Sequence, residues 1–88
     1  MFRSRAFIQI KVKLYGGLDS QARISSYDPE NGIDLDIKEN TRIKKVLKQI
    51  GLKRQLSVVC FVNGEKEKFN YRLKQGDVIF FMKPATGG

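Results

Sequence analysis

One stretch of this chain restricts its fold more than any other. From Ile8 to Leu14 apolar and polar residues alternate without a break, with Ile8, Ile10, Val12 and Leu14 set against Gln9, Lys11 and Lys13. A period of two sends the four aliphatic side chains to one side of a β-strand and the three polar ones to the other, so the strand needs a covering layer on one face only. Ile33-Asp34-Leu35-Asp36-Ile37 repeats the pattern. Between the two lie residues 16–32, rich in Gly, Ser, Asp and Asn and closing on Asn31-Gly32, which read as a long connection with at most one short helix around Asp19–Ile24. The flanking strands are expected to pair antiparallel.

The covering layer follows at once. Ile43, Val46, Leu47 and Ile50 recur at the i, i+3, i+4, i+7 spacing of one helical face, with Lys44, Lys45 and Lys48 on the other side. Thr41 is the expected N-cap, and Gly51 supplies the residue past the C-terminus, with Leu52 positioned for the hydrophobic contact that accompanies such an ending. The spacing predicts a helix over about Arg42–Ile50. Ser57–Val62 is β-branched and aromatic and runs into Asn63-Gly64, a strong hairpin signal, so Glu65–Phe69 is expected to return as a strand. After the turn-like Leu73-Lys74-Gln75-Gly76-Asp77, Val78–Met82 reads as a final buried strand. One helix with one apolar stripe covers one face of a mixed four- to five-stranded sheet, an α+β roll. The 88 residues are expected to form a single domain, with residues 1–6 a loose basic N-terminus and 83–88 a flexible tail.

Composition narrows the chemistry. The chain has no His, which removes the commonest general base and the commonest metal ligand together. One Cys, Cys60, is too few for a disulfide framework or a sulfur-rich zinc site. It lies mid-strand on the expected inner face and is read as inert core packing. No apolar run approaches the ~18–20 residues of a membrane span. After the basic MFRSRA start, Gln9, Lys11 and Lys13 interrupt the apolar residues that a signal peptide would need in a row, so a cytoplasmic location is expected.

The most informative segment is the last. A strand ending at Met82, a Pro that stops pairing, then Ala85, Thr86, Gly87 and Gly88 would hold an α-carboxylate clear of the sheet, and residues without a Cβ thread narrow channels easily. Residues 76–88 (GDVIFFMKPATGG) resemble the end of the small subunit of molybdopterin synthase, and residues 10–18 (IKVKLYGGL) are similar to its first strand. Val62-Asn63-Gly64-Glu65 resembles the turn of the thiamine-pathway sulfur carrier. Both belong to the ubiquitin-like β-grasp superfamily, and the resemblance to these MoaD/ThiS-like sulfur carriers runs from about Ile8 onward.

That resemblance implies a carrier, not a stand-alone enzyme. A ubiquitin-activating-type enzyme adenylates the Gly88 carboxylate, sulfur replaces AMP to give a thiocarboxylate, and a sulfur-accepting synthase takes the sulfur. That synthase is the large subunit of molybdopterin synthase, for the molybdenum or tungsten cofactor, or else thiazole synthase. No cofactor is then expected on this chain, and ATP and Mg²⁺ belong to the adenylating enzyme. The alternatives are thiamine-thiazole or other sulfur delivery, a ubiquitin-like protein modifier, and a basic β-grasp nucleic-acid-binding module.

Strand alternation also suggests where partners dock. If Cys60, Val62, Ile79 and Phe81 face the helix, then Val59, Phe61, Phe80 and Met82 face away, with Tyr15 beside them. Such a patch next to Pro84, Ala85, Thr86, Gly87 and Gly88 marks an interface unless the 16–32 connection or the N-terminal residues cover it. The formal charge of +8 is concentrated, since residues 38–54 carry seven cations and one anion. Basic and aromatic residues are not interleaved along the sequence there, so the helix face reads as solvated, and neither nucleic acid nor membrane is among the expected partners.

Overall fold

The computed structural model describes residues 6–18, 27–28, 30–52 and 58–83. The elements are β1 (Phe7–Tyr15), β2 (Ile33–Lys38), α1 (Ile43–Gln49), β3 (Val59–Val62), β4 (Glu65–Glu67) and β5 (Val78–Met82). They build one mixed five-stranded sheet in the order β2-β1-β5-β3-β4 with, among the described residues, a single α-helix, a β-grasp arrangement. β1 pairs antiparallel with β2 and parallel with β5, and β3 pairs antiparallel with both β5 and β4. The expected short helix around Asp19–Ile24 and the start of the expected 57–62 strand fall outside the described residues.

Alternation produces a one-sided core as anticipated. Ile8, Ile10, Val12 and Leu14 of β1, Ile37 of β2, Cys60 and Val62 of β3, and Ile79 and Phe81 of β5 are buried against Ile43, Val46, Leu47 and Ile50, with Leu18, Leu52 and Leu73 closing the rim. Each such aliphatic or aromatic side chain contributes about 1.5–3 kcal/mol relative to exposure. Among the described residues no helix is long and apolar enough to cross a membrane.

The helix departs from expectation at its start. Arg42, not Thr41, is the N-cap residue, and no side chain caps the helix. The Thr41 hydroxyl instead donates to the Lys38 carbonyl at 2.6 Å. The free amides are satisfied by backbone, because the Ile43 and Lys44 N–H groups donate to the carbonyls of Tyr71 and Phe69, each at 3.0 Å. The chain after β4 crosses the helix start, with Arg42 and Arg72 forming an isolated bridge and the Leu73 amide donating to the Thr41 carbonyl at 2.8 Å. This crossing also explains why the return strand ends at Glu67 rather than Phe69, since the chain must turn at Phe69-Asn70 to aim those carbonyls at α1. The other end matches the sequence reading. The Gly51 and Leu52 amides donate to Lys48 and Leu47 at 3.1 Å each, the bond pair of a Schellman ending, and Leu52 is buried beside Leu47.

The hairpin turn does more than reverse the chain. Asn63 (φ 52°) and Gly64 (φ 89°) both take the positive φ that a tight two-residue turn requires. The Asn63 side chain then reaches across to β5, accepting from the Val78 amide at 3.0 Å and donating to the Asp77 carboxylate at 2.9 Å. The other carboxylate oxygen of the buried Asp77 accepts from the Lys74 amide at 2.9 Å. On the far side the Lys11 amide donates to the Asp77 carbonyl and the Gly76 amide to the Gln9 carbonyl. Asp77 thus locks the start of β5 to β1 and to the hairpin together.

Removing that carboxylate strands two donors. Asp77→Ala is expected to lower stability by about 1–3 kcal/mol for the unsatisfied groups, read as a shifted urea midpoint with an unchanged slope. An unshifted midpoint would show that water replaces the carboxylate at no cost.

Candidate functional site

β5 delivers the chain to the site. Along it Ile79 and Phe81 turn inward, while Phe80 stays half-buried and Met82 exposed on the other side. Register does the assembly. Met82 lies between Tyr15 of β1 and Val59 of β3, and Phe80 lies between Lys13 and Phe61. Tyr15, Val59, Phe61, Phe80 and Met82 therefore come together on the sheet face opposite the buried one, as strand alternation anticipated. Pro84, Ala85, Thr86, Gly87 and Gly88 lie outside the described residues.

The patch is apolar and ordered. Tyr15 and Met82, the last residues of β1 and β5, are 41% and 36% exposed. The rings of Tyr15 and Phe80 meet edge to face with centroids 5.5 Å apart, and the Lys13 ammonium sits 5.8 Å from the Phe80 centroid. Together these contacts are worth about 1–2 kcal/mol, enough to fix the rings before any partner arrives. A pre-set apolar surface loses little side-chain entropy on docking.

The described part of the 16–32 connection turns to other tasks. Leu18 is fully buried in the core. The pairing of β1 with β2 ends at Val12, and beyond it the Tyr27 hydroxyl serves the free edge, accepting from the Leu14 amide at 2.7 Å and donating to the Leu14 carbonyl at 3.3 Å.

Gly16 is a site residue that the sequence reading missed. At φ +72°, a Cβ built there would lie 2.7 Å from the Lys83 carbonyl oxygen, so only glycine lets the end of β1 approach the backbone where it leaves β5. The available signal was a Gly-Gly pair directly after an alternating strand. The distance to Lys83, however, depends on the parallel pairing of β1 with β5, which no local pattern encodes.

Cys60 is where sequence reasoning put it. Its side chain is buried and the thiol donates to the Glu67 carbonyl at 3.1 Å. Burial, assisted by the Glu67 charge, pushes its pKa up to about 11, so at neutral pH the nucleophilic thiolate is scarce and the sulfur is packing material. Among the described residues no three His, Cys, Asp or Glu side chains converge as a metal site.

The ThiS family model matches residues 27–88, from the end of the first connection through α1, β3, β4 and β5 to Gly88. β1 precedes the matched span yet sits inside the sheet beside β5. No curated protein matches the chain.

Two substitutions test this geometry. Gly16→Ala is expected to cost more than the about 1–2 kcal/mol of left-handed backbone strain, and to shift the Lys83 amide resonance. Gly17→Ala, with the same kind of φ but nothing within 4 Å of its Cβ, should cost the strain alone. For Cys60, alkylation of the native chain should stay far slower than that of a free thiol at pH 8 and accelerate only as pH rises toward about 11. Rapid labelling at pH 8 would contradict the burial.

Proposed function

Because the chain belongs to the ThiS family of small sulfur carriers, we propose that its reactive group is its own terminal carboxylate, on Gly88. The observation that carries this reading is the family match continuing through Gly87-Gly88, on a segment that follows directly from β5 and its apolar row. A carboxylate is a poor electrophile. A ubiquitin-activating-type partner, holding ATP and Mg²⁺, joins it to AMP with loss of pyrophosphate. A sulfide equivalent then attacks the acyl carbon, AMP leaves, and the thiocarboxylate –COS⁻ remains as a soft nucleophile.

Each residue has a role in that cycle. Gly87 and Gly88, lacking a Cβ, let the chain enter a narrow active site. Pro84 ends strand pairing, and Ala85 and Thr86 span from the sheet to the partner's pocket. Tyr15, Val59, Phe61, Phe80 and Met82 form the apolar surface on which the adenylating enzyme and the sulfur-accepting synthase dock in turn. The sulfur acceptor is the molybdopterin precursor on the large synthase subunit, a reading supported by the resemblance of residues 76–88. Thiazole synthase is the second reading, supported by the Val62-Asn63-Gly64-Glu65 turn. We place the chain in the cytoplasm, a reading supported by ATP-dependent loading.

Intact-mass spectrometry after incubation with the cognate adenylating enzyme, Mg-ATP and sulfide should show one oxygen replaced by sulfur. An unchanged mass with active enzyme would overturn the proposal. Deleting Gly87-Gly88 should abolish loading with an unchanged circular dichroism spectrum. Phe61→Ala and Phe80→Ala should each raise KM for the carrier about tenfold, as loss of an interface hot spot does. Offering the loaded carrier to the two synthases in parallel assigns the pathway by which one consumes it.

A further inference from the structure

The sequence shows a run of cations near α1 with no aromatic residue among them, but folding brings one there. The β1–β2 register pairs Phe7 with Lys38, which carries a ring 65% exposed to the rim of the basic helix. Phe7 lines a hollow of about 210 Å³ with Lys38, Thr41, Lys45 and Gln49, alongside Asp36 and Ile37. This hollow shares Lys38, Thr41 and Lys45 with a groove of about 530 Å³ to which Arg42, Lys44 and Arg72 also belong. That volume is within the range of ligand sites, about 300–1,000 Å³.

We propose that this joined surface binds single-stranded nucleic acid, with Phe7 stacking on a base and Lys38, Arg42, Lys44, Lys45 and Arg72 contacting phosphates. The five cations face two carboxylates, Glu39 and Asp36. The one ion pair among the described residues, Lys11 with Asp34 at 3.0 Å, involves none of them. Like charges gathered without internal partners repel one another, and a polyanion relieves the repulsion while releasing its counterions. An acidic protein segment would satisfy the cations but leave the Phe7 ring unused, whereas an unpaired base uses both parts of the surface. A duplex hides its base faces and is disfavoured for the same reason. The helix amides add nothing, being already bonded to Tyr71 and Phe69, so the side chains carry the affinity.

The surface lies at the other end of β1 from the point where the chain leaves β5. β1 runs nine residues from Phe7 to Tyr15, about 26 Å at 3.3 Å per residue, and the chain leaves β5 beside Tyr15 and Gly16. A strand of nucleic acid at one pole therefore leaves the other pole free to dock.

Fluorescence anisotropy with the full chain and single-stranded oligonucleotides of about 12 nucleotides, in matched ribo and deoxyribo forms, tests the proposal. Binding should weaken with salt at a log–log slope of about −3.5, from five phosphates at roughly 0.7 each. Lys45→Ala and Arg72→Ala should each reduce that slope by about 0.7. Phe7→Ala should weaken binding about 5- to 150-fold with the slope unchanged, the range for losing one stacked base. Sulfur loading of all three variants should match the parent, which separates failure here from failure of the carrier reading. No binding by the parent chain at about 50 mM salt would overturn the proposal. So would equal affinity for duplex together with a silent Phe7→Ala, and so would poly-glutamate competing as well as the oligonucleotide, which would reassign the surface to an acidic protein.

Discussion

When the first and last strands of a chain lie side by side and parallel, no short turn can join them, and everything between must close over the sheet. Here that pairing is β1 with β5, in register from Lys11 with Val78 to Tyr15 with Met82. Asp77 holds it. Its carbonyl accepts from Lys11 on one side, and its carboxylate accepts from Asn63 and Lys74 on the other. One buried acid thus ties the chain's first strand, its hairpin turn and its last strand into a single register. The apolar row on the open face and the close passage of Gly16 past Lys83 both follow from that register.

The outward apolar row follows from the way α1 covers the sheet. Among the described residues a seven-residue helix with a single apolar stripe covers one side of the sheet, and the alternation of β1, β3 and β5 turns Tyr15, Val59, Phe61, Phe80 and Met82 to the other. A surface that is apolar, held by an edge-to-face ring pair and adjacent to the last described residue suits transient docking, since it needs little rearrangement. For a carrier this matters more than catalytic side chains. The chain has no His, and its only thiol is buried. That is the setting in which we propose the terminal carboxylate as the reactive group.

At the opposite pole the same economy of backbone sets the surface. Carbonyls of Phe69 and Tyr71 occupy the first amides of α1, so the charge there resides on flexible Lys and Arg side chains rather than on a helix terminus. The aromatic ring among them comes from β1, more than thirty positions away in sequence from Lys38.

Patterns that depend on one residue and its near neighbours were legible in the sequence: the alternation of β1 and β2, the stripe of α1 with its Gly51 ending, the Asn63-Gly64 turn, the inward Cys60 and the outward Val59, Phe61, Phe80 and Met82. Periodicity and φ preference are local properties, so local sequence carries them. The N-cap was misassigned to Thr41 because a side-chain cap and a remote carbonyl satisfy the same amide equally well, and only the second is invisible in sequence. The Asn63–Asp77 bond, the Gly16–Lys83 approach and the placement of Phe7 among the cations share that character. Sequence by itself determined which residues face the core and which face out. Tertiary structure alone decided which of them meet, because strand register is set by contacts between segments whose separation along the chain leaves no local trace.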